Sequence, residues 1–220
     1  MTASQPSIWL DGCPSRRSLS SMPELTLATR NAHKTREFQR ILGSEFVVRD
    51  LFTNSDISAA AETGRSFLQN AILTALSVSK QLSGLVIADD SGLEVDALDG
   101  APGIYSARYA GENATDKENI DKLLSEFHAR KVADDRRSAR FRCVVALAKE
   151  GNLLGTFGGV VEGIIVDPPR GRSGFGYDPI FQPNGSKQTF AEMPPELKSE
   201  ISHRAKAIAA LRKALPGFEN

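Results

Sequence analysis

Leu85-Val86-Ile87-Ala88-Asp89-Asp90-Ser91-Gly92 is the stretch from which the architecture can be read. Four consecutive apolar residues read as a strand buried on both faces, the kind found inside an α/β sheet, and this one runs straight into a polar, acidic end. Upstream, Ser66 to Leu82 carries Leu68, Ile72, Ala75, Leu76 and Ser79 at helical spacing, so a long amphipathic helix precedes the strand. Further back, Leu25 to Thr29 alternates as a strand, Thr35 to Leu42 reads as a helix through Phe38, Ile41 and Leu42, and Phe46 to Val48 as a short strand. Downstream, Thr115-Asp116-Lys117-Glu118 is a capping-box signature ahead of Ile120, Leu123, Leu124 and Phe127. Arg140 to Ala148 alternates, Gly151-Asn152 offers a turn, and two strands follow at 153–157 and 160–166. A Pro/Gly-rich loop covers 167–179, and a final helix carries Ile208, Leu211 and Leu215. Intermingled helices and strands, with hairpins in the second half, predict a mixed-sheet α/β protein, in one lobe or two.

The 220 residues, 40% of them hydrophobic, suffice for one domain with a substantial core. Twenty-seven basic against twenty-seven acidic side chains leave no net charge, which speaks against a protein held by nucleic-acid phosphates. No apolar run approaches a membrane span. Two cysteines, Cys13 and Cys143, are too few for a disulfide framework, so a reducing compartment, the cytoplasm, is expected. Residues 1–23 are rich in Ser and Pro, carry Arg16 and Arg17, and are expected to be a disordered extension ahead of a single domain at 24–220. A transit peptide and an upstream start ahead of Met22 are the alternatives for that segment.

Four places carry more polar chemistry than a scaffold requires. Thr29-Arg30-Asn31-Ala32-His33-Lys34 turns a strand into a helix, where free amides and Lys34 would attract phosphate; no P-loop pattern is present. In Asp89-Asp90-Ser91-Gly92 two adjacent carboxylates need a cation or donors, and magnesium, which shares carboxylates with phosphate oxygens, suits them. Strand alternation places only one of the two on a given face. Gly174-Phe175-Gly176-Tyr177-Asp178-Pro179 offers a stacking ring, close backbone approach, and a carboxylate for ring N–H groups. Ser202-His203-Arg204, with Lys198 upstream, heads the last helix as a second anion or carbonyl site. Each cluster also has a bland reading, as a turn, a loop or a solvated helix end. Together they outline a nucleotide site.

The blocks LATRNAHK (27–34 with its preceding strand), AETG, IADDSGL, GAPGIYSARY, FGYDPIF and KSEISHR follow in one order along roughly residues 25–215. In this they resemble the inosine triphosphate/xanthosine triphosphate pyrophosphatase family. The resemblance implies an elongated, two-lobed α/β fold with the cleft between the lobes. It also implies a homodimer and magnesium-dependent hydrolysis of ITP, dITP and XTP to the monophosphate and pyrophosphate, clearing deaminated purines. Carried over, Thr29, Arg30, Asn31, Ala32, His33 and Lys34 would hold the triphosphate. Asp90 would be the catalytic carboxylate and a metal ligand, with Glu62 a second metal candidate. Ser91 would contact substrate, Phe175, Gly176, Tyr177 and Asp178 would clamp the purine, and Lys198, His203 and Arg204 would complete the site. Arg204, a donor only, would favour the 6-carbonyl of hypoxanthine over the 6-amine of adenine. Arg30 stands where many relatives have Gly, and Glu196-Leu197-Lys198 departs from the commoner Glu-Glu-Lys. A pyrimidine-directed pyrophosphatase of the Maf type, a terminal phosphatase and a silent nucleotide-binding protein are the competing readings.

Overall fold

The computed structural model describes residues 22–53, 56–58 and 63–217. Their six strands form one mixed sheet in the order β2-β1-β3-β4-β5-β6. β1 (Glu24–Leu27) lies parallel to both β2 (Val47–Asp50) and β3 (Leu85–Val95). From β3 onward the pairing is antiparallel through β4 (Ser138–Lys149), β5 (Asn152–Ile165) and β6 (Phe181–Pro183).

The helices start where side chains can take up the first amides. α1 (Ala32–Leu42) begins three residues before the expected start at Thr35, because Asn31 Oδ1 accepts from the amides of His33 (2.9 Å) and Lys34 (3.3 Å). Ser66 caps α2 (Phe67–Ser79), and the expected capping box of Thr115 and Glu118 opens α3 (Asp116–Ala129). Ser202 closes the short α4 (Pro195–Ile201), which sequence periodicity does not reveal, and caps α5 (His203–Ala214).

Three expectations are corrected. Asp89-Asp90-Ser91-Gly92 is neither a strand end nor an Asp-rich turn: β3 runs through it to Val95, paired residue by residue with β4. The strands at 153–157 and 160–166 are one strand, β5, that passes through Gly158-Gly159 without a break. The turn before it is formed by Glu150 and Gly151, both at positive φ (51° and 78°), so it lies one residue earlier than Gly151-Asn152. The expected extension falls almost wholly outside the described residues.

Three core clusters divide the molecule. α1 and α5 cover one face of the sheet with Leu25, Leu27, Ile87, Cys143, Val145 and Ile208. α2 covers the other face, packing Ala71, Ala75 and Val78 on Val86, Ala88 and Ala146. The third cluster is built at the far ends of β3 to β5, where α3 meets Phe141, Tyr177, Ile180, Phe181 and Phe190. These are the two lobes of the expected architecture. The cleft between them has a simple origin in strand length. β1 is four residues long and β3 eleven, so the ladder ends with Ala28 N–H donating to the Ile87 carbonyl at 2.7 Å. Beyond that point the β1 side of β3 meets a 3-10 segment, Gly103–Arg108, whose Ser106 hydroxyl accepts from Leu93 N–H at 2.9 Å.

Candidate active site

Where β1 stops, a cavity of about 330 Å³ opens between the lobes. From the sheet side, Asp90, Ser91 and Gly92 of β3 and Phe141 of β4 line it. From the helices come Asn31 and Lys34 at the start of α1, Lys198 of α4, and His203 and Arg204 of α5. The loop Phe175 to Asp178 and the residues Asp116 and Asn119 of α3 close the other side.

Alternation along β3 separates the two aspartates, as expected from its geometry. Asp89 has no exposed side-chain surface and belongs to a network of ions. Lys34 Nζ lies 3.1 Å from its Oδ1 and donates to its main-chain carbonyl at 3.2 Å. Arg204 Nη2 donates to Asp89 Oδ2 at 3.1 Å and to Ser91 Oγ at 2.8 Å. Asp90 points the other way, toward α2, where Asn70 Nδ2 donates to its Oδ2 at 2.9 Å.

Glu37 of α1 extends the network. Its two carboxylate oxygens accept from Lys198 Nζ (2.7 Å) and from Arg204 Nη1, and Lys198 Nζ also sits 2.5 Å from Asp178 Oδ2. Lys34, Lys198 and Arg204 thus face Asp89, Glu37 and Asp178, three cations against three carboxylates, most of them almost fully buried. Buried charge persists only when paired, and the pKa shifts follow that balance. Burial pushes the Asp89 and Glu37 carboxyls up, and the neighbouring cations (Lys34 and Arg204 for the first, Arg204 and Lys198 for the second) outweigh it and hold both below the usual carboxylate range. For Asp178 burial wins over Lys198 and the carboxyl is raised. Burial, reinforced by Arg204, Lys198 and Lys34, drives the His203 imidazole well below its usual value, so it is neutral. Its ring stacks on Phe141 with centroids 4.7 Å apart and planes 11° apart.

Several candidate residues are placed differently from the simplest reading. The first amides of α1 are not free for phosphate, because Asn31 itself occupies those of His33 and Lys34. Thr29 Oγ1 accepts from Asn31 N–H and shapes the turn, Ala32 opens α1, and Arg30 sends Nη2 to the Ile57 carbonyl at 2.8 Å, away from the cavity. His33 lies outside the cavity wall, with its ring stacked on Phe175 at 5.2 Å. That same Phe175 ring has Lys198 Nζ 5.1 Å and Arg204 Cζ 5.7 Å from its centroid. Tyr177 is a core residue whose hydroxyl donates to the Ser106 carbonyl at 2.9 Å. Asp178 Oδ2 already accepts from Phe175 N–H (2.9 Å) and Lys198, and Gly174 is glycine because a Cβ there would lie 2.0 Å from that oxygen. Arg204 spends its Nε, both Nη2 hydrogens and one Nη1 hydrogen on Asp89, Ser91 and Glu37, and its second Nη1–H finds no partner among the described residues. Glu62 lies outside the described residues.

Glu37 and Asn70 escaped the sequence reading, though each left a signal. Glu37 stands three residues after Lys34, on the same helical face. Asn70 is a polar residue on the buried stripe of α2, 1% exposed, where a polar side chain needs a partner.

Comparison with known proteins follows the same elements. A family model described as the Ham1 family matches residues 25–214. A Geobacter sulfurreducens protein named dITP/XTP pyrophosphatase is 47% identical over 196 residues, covering 88% of this chain and 97% of that protein. One of the same name from Bacillus subtilis (strain 168) is 45% identical over 195 residues, covering 88% and 98%. Among solved structures, a Ham1 protein from Coxiella burnetii superposes with a TM-score of 0.79 at 42% identity, covering 89% of this chain and all of that one. The Staphylococcus aureus Ham1 protein gives 0.77 at 42% identity, with the same coverage. The matched residues run from β1 through α5 and so include every described element that lines the cavity; the chain belongs to the Ham1 family.

Proposed function

We propose that this chain is a magnesium-dependent pyrophosphatase for non-standard purine nucleoside triphosphates, dITP, XTP and ITP, releasing the monophosphate and pyrophosphate and so clearing deaminated purines. The observation that carries the reading is the placement of Asp90 on the wall of a cavity shared with Lys34, Lys198 and Arg204. A cavity of this size and polarity suits a small anionic ligand. The relatives named above as dITP/XTP pyrophosphatases support the base preference. A homodimer in the cytoplasm is part of the same reading; among the described residues no helix is long and apolar enough to cross a membrane.

The donor set fits magnesium carried with the triphosphate. Asp89, Glu37 and Asp178 are committed to cations, and the described residues contain no group of three or more side chains able to cage a metal. Asp90, steadied by Asn70, would supply one of the one or two carboxylates that such an ion takes beside phosphate oxygens and water, with Glu62 the second candidate. When bound, magnesium would lower the pKa of water and neutralise phosphate charge. The side chains then do the positioning. Lys34 and Lys198 offset charge on the departing pyrophosphate, and Asp90 accepts the proton of water attacking the α-phosphorus in line. The remaining Nη1–H of Arg204 selects an acceptor, so a 6-carbonyl is satisfied where a 6-amine is not.

Phosphorus NMR of the protein with magnesium and ITP, beside a parallel tube with ATP, tests all of this together. Pyrophosphate plus IMP from ITP, with ATP nearly untouched, is the expected result. Orthophosphate plus IDP would move the cut to the terminal phosphate and overturn the role of Asp90. No turnover of either would reject the reading.

A further inference from the structure

Asp116 is exposed at the first position of α3, yet it lines the cavity and reaches across to the opposite loop. Its Oδ2 accepts from Gly176 N–H at 2.7 Å, sixty residues away in sequence. Gly176 lies between the stacking ring of Phe175 and the buried Tyr177, at φ +60°, a conformation that glycine adopts without strain. The amide before it, Phe175 N–H, is held by Asp178. Two carboxylates from different elements therefore fix two successive amides of the loop Gly174 to Asp178. One of them, Asp178, is buried and locked by Lys198. The other depends on α3, where Thr115 and Glu118 cap each other and fix the helix start from which Asp116 projects. Asn119, one turn on, donates to the Ala107 carbonyl and accepts from Ala110 N–H, which ties the same helix to the segment lining the cavity floor.

We propose that Asp116 is a positioning residue for the base-binding loop: by accepting from Gly176 N–H it sets the Phe175 ring and the adjoining backbone against the purine. The proposal rests on the nucleotide reading above, and it names the residue on which that loop's order depends. An acidic residue in the first turn also complements the helix dipole, and that role has to be separated from this one. Asparagine separates them, since it keeps an acceptor oxygen and loses the charge.

The experiment compares wild type, Asp116→Ala and Asp116→Asn by two readouts. In amide exchange followed by mass spectrometry without ligand, the segment 173–180 should exchange at least severalfold faster in the Ala variant and at the wild-type rate in the Asn variant. In steady-state kinetics the Ala variant should raise KM for ITP by about tenfold, as expected for one lost hydrogen bond, with kcat within about twofold and Asn, which keeps the acceptor, restoring KM. Inorganic triphosphate, which has no base, should inhibit all three proteins equally. Unchanged exchange in Asp116→Ala would overturn the proposal, as would an Asn variant that behaves like Ala or an equal loss of triphosphate inhibition. If wild type fails to turn over ITP, the nucleotide reading falls, and the exchange comparison still decides whether Asp116 orders the loop.

Discussion

Gly159 lies in the middle of β5, far along the chain from every cluster of polar chemistry, and its replacement by alanine should damage the active site. Its φ is not in the left-handed region, so backbone freedom is not what demands glycine. The demand is space. A Cβ built on Gly159 would lie 2.0 Å from the His203 carbonyl oxygen, 2.6 Å from the Ala207 amide nitrogen and 2.9 Å from Lys206 Cβ. The two nearest atoms are backbone of α5 and cannot swing aside. Restoring an ordinary 3.4 Å contact from 2.0 Å requires α5 to retreat by about 1.4 Å. α5 packs Ala207, Ile208 and Leu211 into the core, so the shift should cost about 1 to 3 kcal/mol of stability, the range for overpacking. It also carries Arg204, whose Nη2 bonds to Ser91 (2.8 Å) and Asp89 (3.1 Å) would lengthen past hydrogen-bonding range. A misplacement of about 1 Å can cost on the order of a hundredfold in rate, and kcat/KM for ITP should fall by about that factor. Gly158→Ala is the control, because its Cβ would meet nothing within 4 Å on the other face of the strand. Urea denaturation and steady-state kinetics on both variants make the comparison. Wild-type stability and kcat/KM in Gly159→Ala would refute the close-approach argument, and equal damage in Gly158→Ala would show that any alanine in this strand is harmful.

Two further perturbations probe the ion network. Glu37→Gln leaves Lys198 and Arg204 with one carboxylate fewer, so stability should drop by about 3 to 5 kcal/mol, as when one partner leaves a buried pair. Inorganic pyrophosphate should bind more tightly to the surplus charge, and an unchanged urea midpoint would exclude a structural role for Glu37. His203 is neutral and its folded-state pKa is depressed, so the unfolded chain gains a proton near pH 6.5 that the folded protein refuses. The His203 contribution is complete above that pH and is lost on acidification by up to about 1.4 kcal/mol per pH unit. His203→Phe, which keeps a ring against Phe141, should abolish that component between pH 6.5 and 5. Glu37 and Asp89 add their own losses only below about pH 4.5, since their pKa values are also depressed. Parallel stability profiles for the two proteins across pH 5 to 6.5 would reject a buried neutral His203.

The elements that were legible are those whose signal is local. The apolar run at 85–88 and the capping box at Thr115 each report on residues within a few positions of themselves, and each forms where expected. The helix expected over 66–82 forms over Phe67–Ser79, but it buries Phe67, Asn70, Ala71, Ala75, Val78 and Ser79, whereas Leu68 of the expected stripe is exposed, because the position of the sheet and not the apolar count decides which face is covered. Much of the cavity wall was legible too, because Lys34, Asp90, Phe175, Lys198 and Arg204, which line it together, sit in short blocks whose order along the chain resembles one family. Errors gathered where a local signal had a distant cause. Gly158-Gly159 looks like a strand break, yet Gly159 is the contact point of a helix more than forty residues downstream. Asp89-Asp90 looks like a turn, yet β4 pairs with both residues and continues the strand.

Residue types along the chain settled which groups are present: cations, carboxylates and an aromatic, glycine-flanked loop. What each group is free to do was settled by tertiary contacts. Arg204 is engaged by Glu37, Asp89 and Ser91, and the two adjacent aspartates part company because Asp89 meets Lys34 and Arg204 on one face of β3 while Asp90 meets Asn70 on the other. A buried ion must find its counterion wherever the fold brings one, and partners more than a hundred residues apart leave no spacing in the chain to be read.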